Sequence, residues 1–492
     1  MKWVWRGLLA LLAVVAILAV IVVVRTNSAT QAANAGAAIE IAEAPAIDAD
    51  AAAQHLSRAI QFRTISITEG VVDNPEQFQQ FQAWLAETYP LTHAAFTREM
   101  VAGHSMLYTL AGSDPSLAPV LLMAHQDVVP VEEGTEGDWD APPFDGIIRD
   151  GEIIGRGAMD DKGSLIGIFE GTEAVLRAGF QPRRGVILFF GHDEETLGGG
   201  ARAAAALLRE RNIRPWFVLD EGGAVILDND TVGGPAAFIG IAEKGYLTVH
   251  LTARAEGGHS SRPLRDSAAE RLSRAILAVR GNPFPARLDG APLAMTRALS
   301  RDAGFVERAA LANLWLFRPL VEQRVGATPE GDAMLRTTIA PTMIQGGTKE
   351  NILPQQMVAT VNLRLHPRDT IDSALAHLRR SVAGIEGVTV EVHGTPTNPS
   401  AVSDVESDSF RLIEAMAQRH SPENAPVTPY LVGGATDSRY FADVAENVYR
   451  FAPAWARTSE LSRAHGTDER LSVENLERMA RFYAELLMTS TR

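Results

Sequence analysis

The rhythm of apolar and polar positions changes three times along the chain. From Gly7 to Val24 every residue is apolar or glycine, a run just long enough to cross a bilayer as a helix. Lys2 and Arg6 stand ahead of it and only Arg25 behind, so the charge bias keeps the N-terminus inside. Residues 1–25 therefore read as a membrane anchor that leaves the body of the protein outside the cytoplasm, on the periplasmic or extracellular side. A cleaved signal peptide is the alternative, because "NSATQAANAGA" offers small residues to a protease. Ala-rich residues 26–48 then read as a tether.

From residue 49 helical and strand patterns alternate. "DADAAAQHLSRAIQF" and "PEQFQQFQAWLAETY" place apolar residues at helical spacing. "APVLLMAHQDVVPV" reads as a buried strand, "SLIGIFEGTEAVLRAG" as a helix and "GVILFF" as a second buried strand. The helix "ARAAAALLRERN" and the strand "PWFVLDEGGA" follow. This order predicts an α/β domain with a mainly parallel sheet, beginning over residues 49–243.

Beyond Lys244 the period becomes two, as in "YLTVHLTAR". Strands and helices then run βαββαβ, with a long irregular insertion from Gly281 to about Arg336 after the first helix. Residues 244–396 read as an inserted α+β domain, and 397–492 as the return to the first domain.

Composition narrows the chemistry. A length of 492 residues calls for more than one core. The net charge of −15 argues against nucleic acid as a partner. There is no cysteine, so disulfides and thiolate metal sites are excluded and any metal must be held by His, Asp and Glu.

Ligands of α/β sheets gather beyond the carboxyl ends of the strands, and four such ends are acidic here. The first carries His125 and Asp127, two residues apart and on one side of a strand. Asp160 and Asp161 follow in the Gly-rich turn "GRGAMDDKGS". "GHDEETLGGG" then brings Asp193, Glu194 and Glu195, and "FVLDEGG" brings Asp220 and Glu221. His465, in "AHGTDE", lies near the C-terminus. Each segment alone reads as a solvated loop or a helix cap. Together they suit a two-metal hydrolytic site in which a carboxylate bridges the ions.

The series His-x-Asp, "GRGAMDDKG", "DEE" before glycines, strand-Asp, "GGHSSRP" and "AHGTDE" resembles the di-zinc aminoacylase/carboxypeptidase metallopeptidase family. It is most similar to the carboxypeptidase S-like and N-acyl-amino-acid hydrolase branch. The resemblance runs from about residue 50 to the C-terminus, excluding the insertion. It implies a catalytic domain of zinc-exopeptidase type and an inserted lid or dimerisation domain. Two divalent ions, zinc by preference, would be held by His125, Asp160 and Asp220 on one side and by Asp160, Glu195 and His465 on the other. Glu194 would be the general base, Asp127 would tune His125, and the Asp160–Asp161 peptide would be cis. His259 would stabilise the oxyanion, commonly from a dimer partner, and Arg364 would hold the substrate carboxylate. Asn351, Gly433, Gly434 and Thr436 would make further substrate contacts.

The implied activity is hydrolysis of the amide next to a free carboxylate, in N-acyl amino acids or short peptides. A dipeptidase or aminopeptidase on the same scaffold is the enzymatic alternative, and Arg364 argues against it. A non-catalytic metal-binding ectodomain is the other alternative. It would be expected to lack the base or the ligands, all of which are present.

Overall fold

The computed structural model describes residues 2–33, 39–230, 232–300 and 304–492, with Lys2 and residues 29–33 described by backbone alone. Residues 34–38 of the expected tether and 301–303 of the insertion lie outside the described residues. Two compact units emerge. One gathers the N-terminal helix with Ala242–Val402, and the other is built from residues 37–241 and 403–492.

The larger unit is built on a mixed sheet whose centre is parallel. Strands Val186–Gly191, Val120–His125, Phe217–Asp220 and Val448–Arg450 lie side by side in that order. All six residues of the first two strands are buried, which accounts for the unbroken apolar runs in the sequence. The flanks are largely antiparallel. Ser105–Leu110 and Thr97–Val101 extend one side, and Gly234–Glu243 and Val225–Asn229 extend the other. His125 stands level with Gly191 in the parallel register, so the chain leaves both strands at the same edge of the sheet.

One helix pair fixes what happens at that edge. Helix Lys162–Arg177 carries Gly163, Gly167 and Gly171, four residues apart on one face. A Cβ on Gly171 would lie 2.6 Å from the Ala480 carbonyl oxygen and 2.9 Å from the Ala484 nitrogen. A Cβ on Gly167 would come within 3.2 Å of Met479. Only glycines let this helix approach Val473–Ser490 so closely. The contact brings the turn before Lys162 alongside the segment before Val473, and these two stretches contain Asp160 and His465.

The smaller unit is a four-stranded antiparallel sheet in the order Ala340–Gly346, Gln356–Leu365, Gly245–Arg254, Val388–Thr397. Helices Ala268–Gly281 and Ile371–Val382 pack on it over a core that includes Leu247, Val249, Leu251, Leu272, Leu363 and Leu378. Chain order is the expected βαββαβ. The stretch expected to be irregular is instead helical at Gly290–Leu299, Phe305–Ala312, Leu314–Val325 and Pro329–Leu335. These helices close over Leu288, Leu314 and Leu335. They are short, Pro319 sits inside the third, and apolar residues fall on more than one face, so no helical period stands out.

The N-terminal helix runs from Lys2 to Ala33, so the first part of the expected tether is helical. Further along the tether, the Ala42 N–H donates to Thr489 Oγ1 at 3.0 Å.

Gly171→Ala should lower the melting temperature, since overpacking a tight contact costs about 1–3 kcal/mol. Gly137→Ala, whose Cβ would meet only open space, should leave it unchanged. Equal melting temperatures for the two variants, measured by circular dichroism, would contradict the close helix contact.

Candidate metal centre

The centre is built around Asp160. Its Oδ1 lies 3.0 Å from His125 Nε2, and its Oδ2 lies 3.0 Å from His465 Nε2. One carboxylate thus faces two imidazoles with its two oxygens. His465 Nε2 is also 3.0 Å from Glu195 Oε2, and His125 Nε2 is 3.9 Å from Glu221 Oε1. Ligand atoms of His125, Asp160 and Glu195 converge within 4.8 Å of one another, as do those of His125, Glu194 and Glu221.

The backbone explains why these side chains meet. The chain passes His125 at the end of its strand and Asp160 in the turn before helix Lys162–Arg177. The Asp160–Asp161 peptide is cis. Glu194 and Glu195 form a short 3-10 turn after the Val186–Gly191 strand, and their N–H groups donate to Asp127 Oδ1 and Oδ2 at 3.2 and 3.1 Å. Asp127 also lies against His125 Nδ1, with its carbonyl oxygen at 2.9 Å and Oδ1 at 3.4 Å. A single buried carboxylate therefore fixes both the imidazole and the two-glutamate turn. His465 takes a left-handed backbone conformation, φ 60°, which turns the chain back as its ring reaches the carboxylates.

Glu469, absent from the sequence-based set, holds the Asp160 turn. Its Oε1 accepts from the N–H groups of Met159 and Asp160 at 2.8 and 3.0 Å. Its Oε2 accepts from Gly157 N–H at 3.0 Å and Arg156 Nη1 at 2.7 Å. The carboxylate is fully buried, and the signal for it was a second acid four residues after His465.

Of the two strand-end acids, Glu221 lies 3.9 Å from His125 Nε2, whereas Asp220, the expected ligand, ends the strand itself. The strand stops at Asp220, whose Oδ2 accepts the Ser438 N–H at 2.9 Å. Glu221 is the next residue, followed by Gly222 at φ 98°, and its longer side chain reaches the imidazole from the turn. Two further acids adjoin the cluster, Asp161 from the turn already noted in the sequence and Asp437, which the sequence analysis does not single out. Asp161 Oδ2 accepts the His125 N–H at 3.3 Å. Both oxygens of Asp437 are buried with no hydrogen-bond partner among the described residues.

Electrostatics mark the same cluster. Burial raises the Glu194 carboxyl well above its ordinary value, and the nearby charges of Asp437, Glu195 and Asp160 add to the rise against His125. Glu221 is raised by burial and then by Asp160 and Asp161. Burial would also raise Asp160, but its bonds to His125 and His465 prevail and hold it low. Hydrogen bonds to Asp160 and Glu195 lift His465 to about 10. Anions crowded in this way require positive charge among them.

The donor set fits divalent metal. It consists of imidazole nitrogens and carboxylate oxygens, and Glu195 Oε1 is buried with no hydrogen-bond partner among the described residues. The side chain of His465 is 55% exposed, against 1% for His125, so the cluster is open on the His465 side.

Thr436 is buried, its Oγ1 2.7 Å from Ser438 Oγ. Gly433 and Gly434 are exposed just after strand Val427–Val432. His259, Asn351 and Arg364 belong to the smaller unit. His259 is exposed on a two-residue strand paired with Ile352–Leu353, its Nδ1 2.8 Å from Ser261 Oγ. The Asn351 carbonyl accepts the Ser260 N–H at 3.1 Å, beside that histidine. Arg364 stacks its guanidinium 5.0 Å from the Tyr246 ring centroid.

Glu221→Gln should weaken metal retention measured by mass spectrometry of the equilibrated protein, whereas Asp220→Asn should retain the metal. The opposite ranking would assign the ligand to Asp220.

Comparison with known proteins identifies the family. The pattern of Peptidase family M20/M25/M40 matches residues 121–489. The chain is 36% identical over 447 residues to the probable carboxypeptidase S-like 2 of Dictyostelium discoideum, covering 89% of this chain and 85% of that protein. It is 34% identical over 439 residues to the human N-fatty-acyl-amino acid synthase/hydrolase PM20D1, covering 88% and 87%. In fold it is similar to the M20 family metallo-carboxypeptidase Sso-CP2 of Sulfolobus solfataricus, with a TM-score of 0.60 at 17% identity over 88% of this chain and 98% of that one. Human carnosine dipeptidase 1 gives the same TM-score at 15% identity over 90% and 96%. A match of this extent, over residues that converge in one metal-binding cluster, makes the chain a member of Peptidase family M20/M25/M40 and a metal-dependent hydrolase of amide bonds.

Proposed function

We propose that this chain is a membrane-anchored, two-zinc hydrolase that cleaves the amide next to a free carboxylate in N-acyl amino acids or short peptides. The observation that carries the proposal is the Asp160 carboxylate, one oxygen toward His125 and the other toward His465. His125, Asp160 and Glu221 would hold one ion, and Asp160, Glu195 and His465 the other. Bound zinc would polarise the amide carbonyl and acidify water at the site.

Glu194 is the general base. It takes a proton from the attacking water and delivers it to the amide nitrogen as the C–N bond breaks, leaving a carboxylic acid and an amine. One water is consumed and no other reactant is needed. Burial, by favouring the neutral form of Glu194, suits it to hold the proton between those two transfers. Asp127, through its bonds to the Glu194 and Glu195 N–H groups, keeps base and ligand in fixed relation.

For the substrate we take the carboxylate-bearing class, for two reasons. The relatives at 34–36% identity are named for carboxypeptidase S-like proteins and N-fatty-acyl-amino acid synthase/hydrolases. Arg364 also provides a guanidinium of the kind that pairs bidentately with a carboxylate. His259 would donate to the oxyanion, while Asn351, Gly433, Gly434 and Thr436 would contact substrate. Residues 244–396 would form the lid and dimerisation domain of a homodimer. Residues 1–25 would anchor the chain, an attachment supported by the apolar helix window Trp3–Ser28, and the charge bias of Lys2 and Arg6 would leave the body outside the cytoplasm.

The detergent-solubilised chain should release free amino acid from N-acyl amino acids and carboxybenzoyl-blocked dipeptides. A chelator should abolish this release and zinc should restore it. Glu194→Gln should lower kcat about 10²–10⁴-fold while bound metal is retained. Chelator-resistant turnover, or full activity of Glu194→Gln, would overturn the mechanism. Preference for dipeptides with a free amino group over acylated ones would overturn the substrate class.

A further inference from the structure

Within the smaller unit, the N-terminal helix is fastened to the helical insertion through Asn313. Asn313 is fully buried, and its Nδ2 donates to the Val22 carbonyl at 3.3 Å and to Thr26 Oγ1 at 3.4 Å, as well as to the Ala309 carbonyl at 2.9 Å. Thr26 is itself only 1% exposed. Leu18, Val22 and Thr26, four residues apart, form the less exposed stripe of a helix whose other described apolar side chains are open. The segment from Trp3 to Val22 ahead of this clasp is about 30 Å long at helical rise, the thickness of a bilayer's hydrocarbon core. The clasp therefore sits where a spanning helix would leave the hydrocarbon.

The insertion turns apolar side chains outward close to that clasp. Trp315 is bonded to it, its Nε1 donating to Asn313 Oδ1 at 3.3 Å, yet it is 54% exposed. On helix Leu314–Val325 one side belongs to the local core through Leu314, Val321 and Val325. The opposite side shows Trp315, Leu316, Pro319 and Leu320, spaced to share a face. Leu316 is 42% and Leu320 61% exposed, and Val306, at the start of the preceding helix, is 79% exposed. An apolar outer face of this kind marks an interaction surface, and tryptophan favours the headgroup level of a membrane.

We infer that the outer face of the Phe305–Val325 segment is a lipid-contacting surface, which lies in the bilayer interface beside the N-terminal helix and makes a second attachment of the smaller unit to the membrane. The occupant is a lipid surface because the clasp holds this face next to the segment that would emerge from the bilayer. The inference rests on the anchor reading given above, and it assigns a use to the insertion that the hydrolytic mechanism does not require.

The absence of cysteine makes the test direct. Single cysteines at Ile17, Val306 and Leu320 of the full chain are labelled with an environment-sensitive fluorophore. The protein is reconstituted into phosphatidylcholine vesicles with and without nitroxide-bearing lipids. Loss of fluorescence to the lipid quencher at all three positions, with protection of Val306 and Leu320 from a water-soluble quencher, is expected. Quenching at Ile17 alone would overturn the inference and leave the anchor intact. No lipid quenching at Ile17 would instead remove the anchor reading on which it rests. Proximity between labels at Leu320 of two chains, without lipid quenching there, would assign the face to a second copy and overturn the lipid assignment.

Discussion

The constraint on which the rest depends is the mutual repulsion of carboxylates gathered at one edge of a buried sheet. Asp127, Asp160, Asp161, Glu194, Glu195, Glu221 and Asp437 all approach His125 or its immediate neighbours, and burial in low dielectric sharpens their repulsion. Without counter-charge the protein must either protonate several of them or loosen the turns that hold them. Divalent cations remove the conflict, and the same turns then become a rigid ligand set. The cost of the cluster and the capacity of the protein to hold metal are one property.

The surrounding architecture can be understood as support for that cluster. Parallel strands deliver His125 and the two-glutamate turn to one edge. The glycine face of helix Lys162–Arg177 lets helix Val473–Ser490 come close enough to bring His465 opposite Asp160. Two buried acids that touch neither imidazole at Nε2 do the fixing. Asp127 ties the imidazole ring to the glutamate turn, and Glu469 gathers three backbone N–H groups and Arg156 around the Asp160 turn. Such outer groups set ligand orientation and commonly matter almost as much as the ligands.

Much of this was legible in the sequence, for stated reasons. Fully buried parallel strands leave apolar runs with acids at their ends, so the catalytic sheet and His125, Asp160, Glu194 and Glu195 stood out together, as did the βαββαβ order. Sequence pattern locates the end of a strand only to within a residue or so, so it puts Asp220 and Glu221 together at the edge without saying how each side chain is turned. Glu469 was missed because its role is to accept backbone donors from a turn over 300 residues away, and this leaves no local period. The insertion shows no helical period in the sequence because its helices are short and apolar on more than one face, a pattern that becomes intelligible if one face meets lipid.

In the proposed function one carboxylate, Asp160, would serve two metal positions at once. The most direct test is the number of zinc ions bound per folded chain, determined by mass spectrometry after equilibration, in the natural protein and in Asp160→Asn. The account predicts two ions in the natural chain and weakened occupancy of both positions in the variant, with the fold preserved. Two ions retained by Asp160→Asn, or the clean loss of only one, would contradict it.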